Sequence, residues 1–195
     1  MSASMPGRSV DISMLVFEDL SKVPRRRLCT LFGVEWYTTT YAWLSLPIFL
    51  GIGFMIALLK EKGSSWDVAG TGAGYGLLLY LSQLLHTLGH ILSSRLAHVP
   101  MDGNLLTATF HVNLYSGDQA TLPRAVHLQR SLGGPLTNLL IGLVALGLYN
   151  LTKDSYTAFF AFANLASGLY TLLPIPKLDG WVIWGGLLHT HRIKS

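Results

Sequence analysis

The chain alternates long apolar runs with short polar interruptions. After a mixed, largely polar stretch of some forty residues, apolar runs cover about 41–59, 68–96, 131–151 and 156–173. A helix needs about 20 consecutive, mostly apolar residues to cross the hydrocarbon core of a bilayer. The pattern therefore predicts about four transmembrane helices. Pro47, Gly51 and Gly53 fall inside the first run, where membrane helices tolerate them. The second run opens with Gly70, Gly72, Gly74 and Gly76. That spacing is not the G-x-G-x-x-G of a dinucleotide site and fits close helix packing instead. The third run opens with Gly133-Gly134-Pro135-Leu136-Thr137-Asn138, and a proline at the first turn suits a helix start. Asn138 then lies inside a span, where an amide needs a partner.

Residues 97–130 are too polar to span. Within them Leu106 to Leu114 alternates strictly, with Leu106, Ala108, Phe110, Val112 and Leu114 on one side and Thr107, Thr109, His111 and Asn113 on the other. This period of two predicts a strand. It has two readings: part of a hairpin covering the helix ends, or an edge that pairs with an extended peptide. After the fourth run Pro174-Ile175-Pro176 breaks the helix, and the apolar tail Trp181 to Leu188 is short enough to predict an interfacial helix. Asp11 to Leu20 has a helix-like start within the polar lead.

Composition agrees with the runs. Half the residues are hydrophobic, 12% are charged and the mean hydropathy is +0.43, against about 25% charged in a soluble domain. This is the composition of an integral, multi-pass membrane protein in contact with the lipid bilayer. The single cysteine, Cys29, excludes an internal disulfide and a cysteine-built zinc site. The first forty residues do not read as a cleavable signal. Arg25-Arg26-Arg27 has the composition of a nucleic-acid or lipid patch, but its place before a span makes it a topology signal, and no nucleic-acid partner is expected. Arg8, Lys22, Arg25–27, Arg95, Arg124, Arg130, Lys177, Arg192 and Lys194 fall on one side of the four spans; Lys60, Lys62 and Lys153 fall on the other. The positive-inside rule then predicts cytoplasmic termini. The expected organisation is a cytoplasmic lead, 1–40, followed by a transmembrane domain, 41–195.

Candidate chemistry lies in the second run, at L-S-Q-L-L-H-T-L-G-H-I-L-S-S-R (81–95). His86 and His90 are four apart, so on a helix both imidazoles share one face and can close on one metal ion. Ionisable groups inside a membrane are expensive and call for a function. Spacing alone leaves two readings, a packed and hydrogen-bonded pair or two metal ligands. A catalytic zinc takes three protein ligands and keeps one position open. Among the carboxylates only Asp179 sits at a helix break beside a span, and four spans bring the ends of the second and fourth to the same side. The other histidines, His98, His127, His189 and His191, read as loop residues; His111 differs in pointing off the strand. A haem or quinone anchor would need histidines on opposing helices, which this pair does not supply.

Three segments carry a resemblance: H-T-L-G-H at 86–90, G-G-P-L-T-N at 133–138 and L-L-P-I-P-K-L-D-G at 172–180. In that order and spacing the chain resembles the site-2 protease family of intramembrane zinc metalloproteases, over a core of about 68–188. The resemblance implies an all-α membrane protein with a small membrane-associated β-hairpin. It also implies zinc held by His86, His90 and Asp179, with Asn138 positioning substrate backbone near the metal. The implied partner is a membrane-spanning protein that is cut within the bilayer.

One position departs from the family. Its H-E-x-x-H motif carries a glutamate as general base, and this chain has Thr87 there. A threonine hydroxyl cannot take a proton from water near neutral pH, and losing a general base costs on the order of 10²–10⁴ in rate. Glu61 and Asp67 fall on the far side, and Asp102 and Asp118 in a loop, so none of these carboxylates replaces it. Two function classes follow. One is an intramembrane zinc metallopeptidase homologue whose proteolysis is weak or lost; the other is a pseudoprotease that acts as a membrane binding or regulatory scaffold.

Overall fold

The computed structural model describes residues 24–60, 63–116 and 119–188. Five α-helices carry most of it: α1 (Ser45–Lys60), α2 (Ser65–Leu96), α3 (Arg124–Thr152), α4 (Ser155–Thr171) and α5 (Asp179–Leu187). Four short strands, β1 (Arg25–Leu31), β2 (Val34–Thr39), β3 (Gly103–Leu106) and β4 (His111–Leu114), form one sheet in chain order. The β2–β3 pair is parallel and the other two are antiparallel. Asp11 to Leu20, His189 and His191 lie outside the described residues.

Among the described helices, two stretches, Ala42–Lys60 and Arg124–Thr152, are long and apolar enough to cross a membrane, and only 17% and 33% of their apolar windows are buried. The core helix of a soluble protein would hide those side chains. Here Met55, Leu59, Leu143 and Val144 stand exposed. So much contiguous apolar surface needs lipid around it, and the chain is a membrane protein. In α2 glycine, serine, glutamine and histidine dilute the hydropathy, while α4 is 17 residues long.

The helices start and pack for local reasons. Ser64 and Asp67 form a reciprocal capping box at the start of α2. Asp154 accepts from the Thr157 amide at the start of α4. Three of the four glycines in the second apolar run are packing positions. A Cβ at Gly72 or Gly76 would collide with the α1 backbone at Phe54 or Leu50, and one at Gly74 would strike Tyr156 of α4; Gly70 faces open space. Between α2, α3 and α4 the Asn138 amide donates to Ser82 Oγ (3.4 Å), whose hydroxyl donates to Asn164 Oδ1 (3.0 Å).

Four details differ from the sequence-based expectation. Leu106 to Leu114 is not one strand, because the chain turns between β3 and β4. Thr107 Oγ1 accepts from the Phe110 amide and donates to the Phe110 carbonyl, so the alternation runs through the turn without marking a ladder. Pro135 is not at a helix start, because α3 begins at Arg124 and carries the proline in its interior. The polar lead contains two strands: Arg25–27 lies on β1, and β2 pairs with β3. His127 lies on α3, its Nε2 3.0 Å from the Gln119 carbonyl, rather than in a loop.

Candidate metal centre

α2 and α3 cross closely where the histidines lie. A Cβ on Gly89 would sit 2.4 Å from the Gly133 carbonyl oxygen, and one on Gly133 would sit 2.1 Å from Ser93 Oγ. Only hydrogen at both positions permits this approach. It lays the face of α2 carrying His86 and His90 directly against Gly134.

Asp179 arrives by a different route. Past α4 the chain winds through Pro174 to Lys177, with Ile175 N–H donating to the Leu173 carbonyl and Leu178 N–H to the Ile175 carbonyl. Lys177 adopts φ 81°, which reverses the chain. Gly180 then passes so near the end of α4 that a Cβ would lie 2.2 Å from the Leu173 carbonyl oxygen. The Trp184 indole donates to the Leu172 carbonyl at 2.8 Å and holds α5 there. The L-L-P-I-P-K-L-D-G segment thus folds the first residue of α5 back beneath the bundle.

The three side chains meet. His86 Nε2 is 3.1 Å from Asp179 Oδ2, His90 Nε2 is 3.3 Å from Asp179 Oδ1, and the two Nε2 atoms are 3.1 Å apart. All three residues are buried. They form a group whose ligand atoms lie within 4.8 Å of one another. Zinc bonds of ~2.0–2.1 Å place ligand atoms roughly 3.3–3.4 Å apart on a tetrahedron, close to these separations.

Hydrogen bonding points the same way. His90 Nδ1 lies 2.9 Å from the Arg130 carbonyl, which can only accept. The Nδ1 proton of a neutral His90 is thereby placed, and its Nε2 carries a lone pair. That lone pair faces a carboxylate oxygen at 3.3 Å and a second imidazole nitrogen at 3.1 Å. His86 Nδ1 has no partner among the described residues, so a neutral His86 with its proton on Nε2 donates to Asp179 Oδ2. With that proton displaced, two imidazole lone pairs and a carboxylate converge as the ligands of a cation do. Gly134 packs directly on the pair: a Cβ there would fall 2.4 Å from both Nε2 atoms, so only glycine leaves the imidazoles in these positions. A pocket lined by His90, Asp179, Tyr115, His127, Arg130 and Val182 opens on the cluster. The residues present therefore fit a zinc ion.

Thr87, next to His86 and buried, points to another partner. Its Oγ1 lies 2.7 Å from His111 Nδ1 on β4 and 3.2 Å from the Gln83 carbonyl. Trp36 of β2 packs edge-on against the His111 ring, with centroids 6.1 Å apart. Burial, and secondarily the charge of His86, push His111 down from 6.5 to about 4. Asn138 is wholly buried, its amide on Ser82 and its Oδ1 without a partner among the described residues. Sequence reasoning missed Gly134 as the cradle and the Arg130 carbonyl as the group that orients His90. It set His111 apart, since the residue lies on the polar side of the alternating segment, but did not place it against Thr87.

No protein-family model matches this chain, and no curated protein matches it. A solved structure does, the site-2 protease from Methanocaldococcus jannaschii, at a TM-score of 0.60 and 22% identity, over 85% of this chain and 72% of that one. The likeness establishes a site-2-protease-like fold.

Proposed function

We propose that this chain is an intramembrane zinc metallopeptidase homologue, with His86, His90 and Asp179 holding one zinc ion and with hydrolysis slowed or lost because Thr87 stands where a glutamate base belongs. The convergence of three buried ligand atoms beneath the bare Cα of Gly134 carries this reading. The fold shared with a site-2 protease supports it. Four spans with cytoplasmic termini suit the charge distribution, and a membrane-spanning protein is the partner such a site would engage.

When bound, zinc would polarise a scissile carbonyl and acidify water. The remaining tasks belong to the chain. His90 is oriented by the Arg130 carbonyl. The Asp179 carboxylate spans both imidazoles with its two oxygens and sets the distance between them. Asn138 Oδ1, without a partner among the described residues, would accept from a substrate amide once the helices around this fully buried residue part. The lipid-facing helices keep bulk water out, and the pocket beside Asp179 admits what the reaction consumes.

A second reading is capture of membrane helices without cutting. Thr87 favours it, since no carboxylate follows His86. Metal analysis of the purified chain tests the first reading: about one zinc per chain is expected, lost in His86→Ala and in Asp179→Ala. A parent protein that holds none after zinc loading would end the metallopeptidase reading and leave capture without cutting.

A further inference from the structure

The contact between Thr87 and His111 is the part of the site that the metal reading leaves unused. It joins the residue after one ligand to a titratable side chain on a different element. Two hydrogen-bond contacts meet at a single hydroxyl. A threonine hydroxyl has one proton to give. The Gln83 carbonyl, 3.2 Å away, can only accept, and His111 Nδ1 lies 2.7 Å away. Both contacts are satisfied together in one arrangement: Thr87 donates to Gln83, and His111 Nδ1–H donates to Thr87. The ring is then neutral with its proton on Nδ1, and Nε2 holds a free lone pair. Among the described residues that nitrogen has no hydrogen-bond partner. The Trp36 edge fixes the plane of the ring.

This is the relation of a base to its orienting group, with the roles redistributed. In the H-E-x-x-H pattern the base follows the first histidine on the same helix. Here the residue at that place reaches a histidine brought in by the sheet.

We propose that His111 is the proton acceptor of this site and that Thr87 is its positioning residue, replacing the missing glutamate with a histidine from β4. The inference rests on the metal reading above, and it decides between a slow enzyme and a pure binder. The step balances. An O–H bond of the attacking water breaks as its oxygen bonds to the scissile carbonyl carbon, and the proton moves to His111 Nε2. The C–N bond then breaks, and Nε2 returns the proton to the leaving amine. Nothing is oxidised or reduced.

The test uses the full chain in detergent micelles, labelled with ¹⁵N-histidine and loaded with zinc, with metal content measured on the same sample. The expected result is about one zinc per chain and a His111 signature of protonated Nδ1 and bare Nε2. Thr87→Ser, which keeps the hydroxyl, should preserve that signature. Thr87→Val, which removes it, should abolish it with zinc content unchanged. A proton on Nε2 in the parent, or a signature indifferent to Thr87→Val, overturns the relay while leaving the metal centre standing. Absence of zinc from the parent overturns the metal reading itself. Hydrolysis of an apolar helical reporter peptide by the zinc-loaded chain should fall on the order of 10²–10⁴-fold in His111→Gln. Equal hydrolysis by parent and variant, including none by either, overturns the proposal.

Discussion

Gly134→Ala tests the metal centre with a single methyl group. The new Cβ would lie 2.4 Å from His86 Nε2 and from His90 Nε2, and real Cβ atoms essentially never approach closer than 3.0 Å. Each imidazole must therefore retreat by at least the difference, 0.6 Å. Metal–ligand distances tolerate about 0.2 Å, so the required retreat is three times what the ion allows. Orienting partners alone are worth about 10–100-fold in metal affinity. Displacing two ligands should exceed that, and a loss of ~100-fold or more corresponds to about 2.7 kcal/mol. The fold should not suffer in proportion, because alanine is the better helix former by about 1 kcal/mol and the atoms it meets are side-chain ends. Gly147→Ala is the control, since it lies on the same helix with nothing within 4 Å of its Cβ. Competition against a chromophoric chelator in micelles measures the affinity, and thermal unfolding without metal measures the fold. Should Gly134→Ala bind zinc as tightly as Gly147→Ala, the ion does not sit between these two nitrogens.

Further expectations concern the bundle and its acid sensitivity. Gly53→Val would drive side-chain carbons into the α2 backbone, where even a Cβ falls 2.3 Å from Gly72 O and Gly76 N. Overpacking of this kind costs about 1–3 kcal/mol, whereas Gly51→Ala, with open space around it, should be neutral in the same melt. Ser82→Ala breaks the bridge between Asn138 and Asn164. At about 0.6–1.7 kcal/mol per hydrogen bond within a membrane, it should lower the unfolding midpoint without touching zinc content; an unchanged midpoint would show that the amides find other partners. His111 holds its proton less tightly when folded, at about 4 against an ordinary 6.5. The unfolded chain therefore binds more protons between those values. Its contribution to stability is complete above pH 6.5 and fades as pH falls toward 4. His111→Gln should flatten that part of the pH–stability curve, and an identical slope in parent and variant would refute the burial argument.

What the sequence shows and what it hides divide along local and non-local information. Apolar runs report helices directly, because each lipid-facing turn needs its own apolar residues, and the ends of α4 and α5 agree with the pattern to within a few residues. His86 and His90 share a face through helical spacing alone, and their spacing needs nothing beyond α2. β1 gave no such signal: its residues are exposed on both faces, so no burial imposed an alternation on Arg25 to Leu31. Thr107 misled in the opposite sense, since its hydroxyl closes a turn inside a segment whose alternation is flawless. Pro135 reads as a helix start only if the helix is equated with its apolar part. α3 carries nine polar and mixed residues, 124–132, before the motif begins.

The position after His86 depends most on what lies far away. On sequence grounds Thr87 is a loss, because no carboxylate falls where it could replace the base and no local pattern brings His111 to it. In the fold, β2 pairs in parallel with β3, and the β3–β4 register opposes Leu106 to His111. That register, with Trp36 on β2, sets the histidine against α2. A slip of one residue would exchange the faces of β4 and turn Val112 toward Thr87 in its place. In the proposed relay the acid–base chemistry is therefore set by strand register in the sheet, not by the H-T-L-G-H segment of α2. A glutamate restored at position 87 would thus not simply rebuild an H-E-x-x-H site, since it would also meet the His111 ring that now occupies that space.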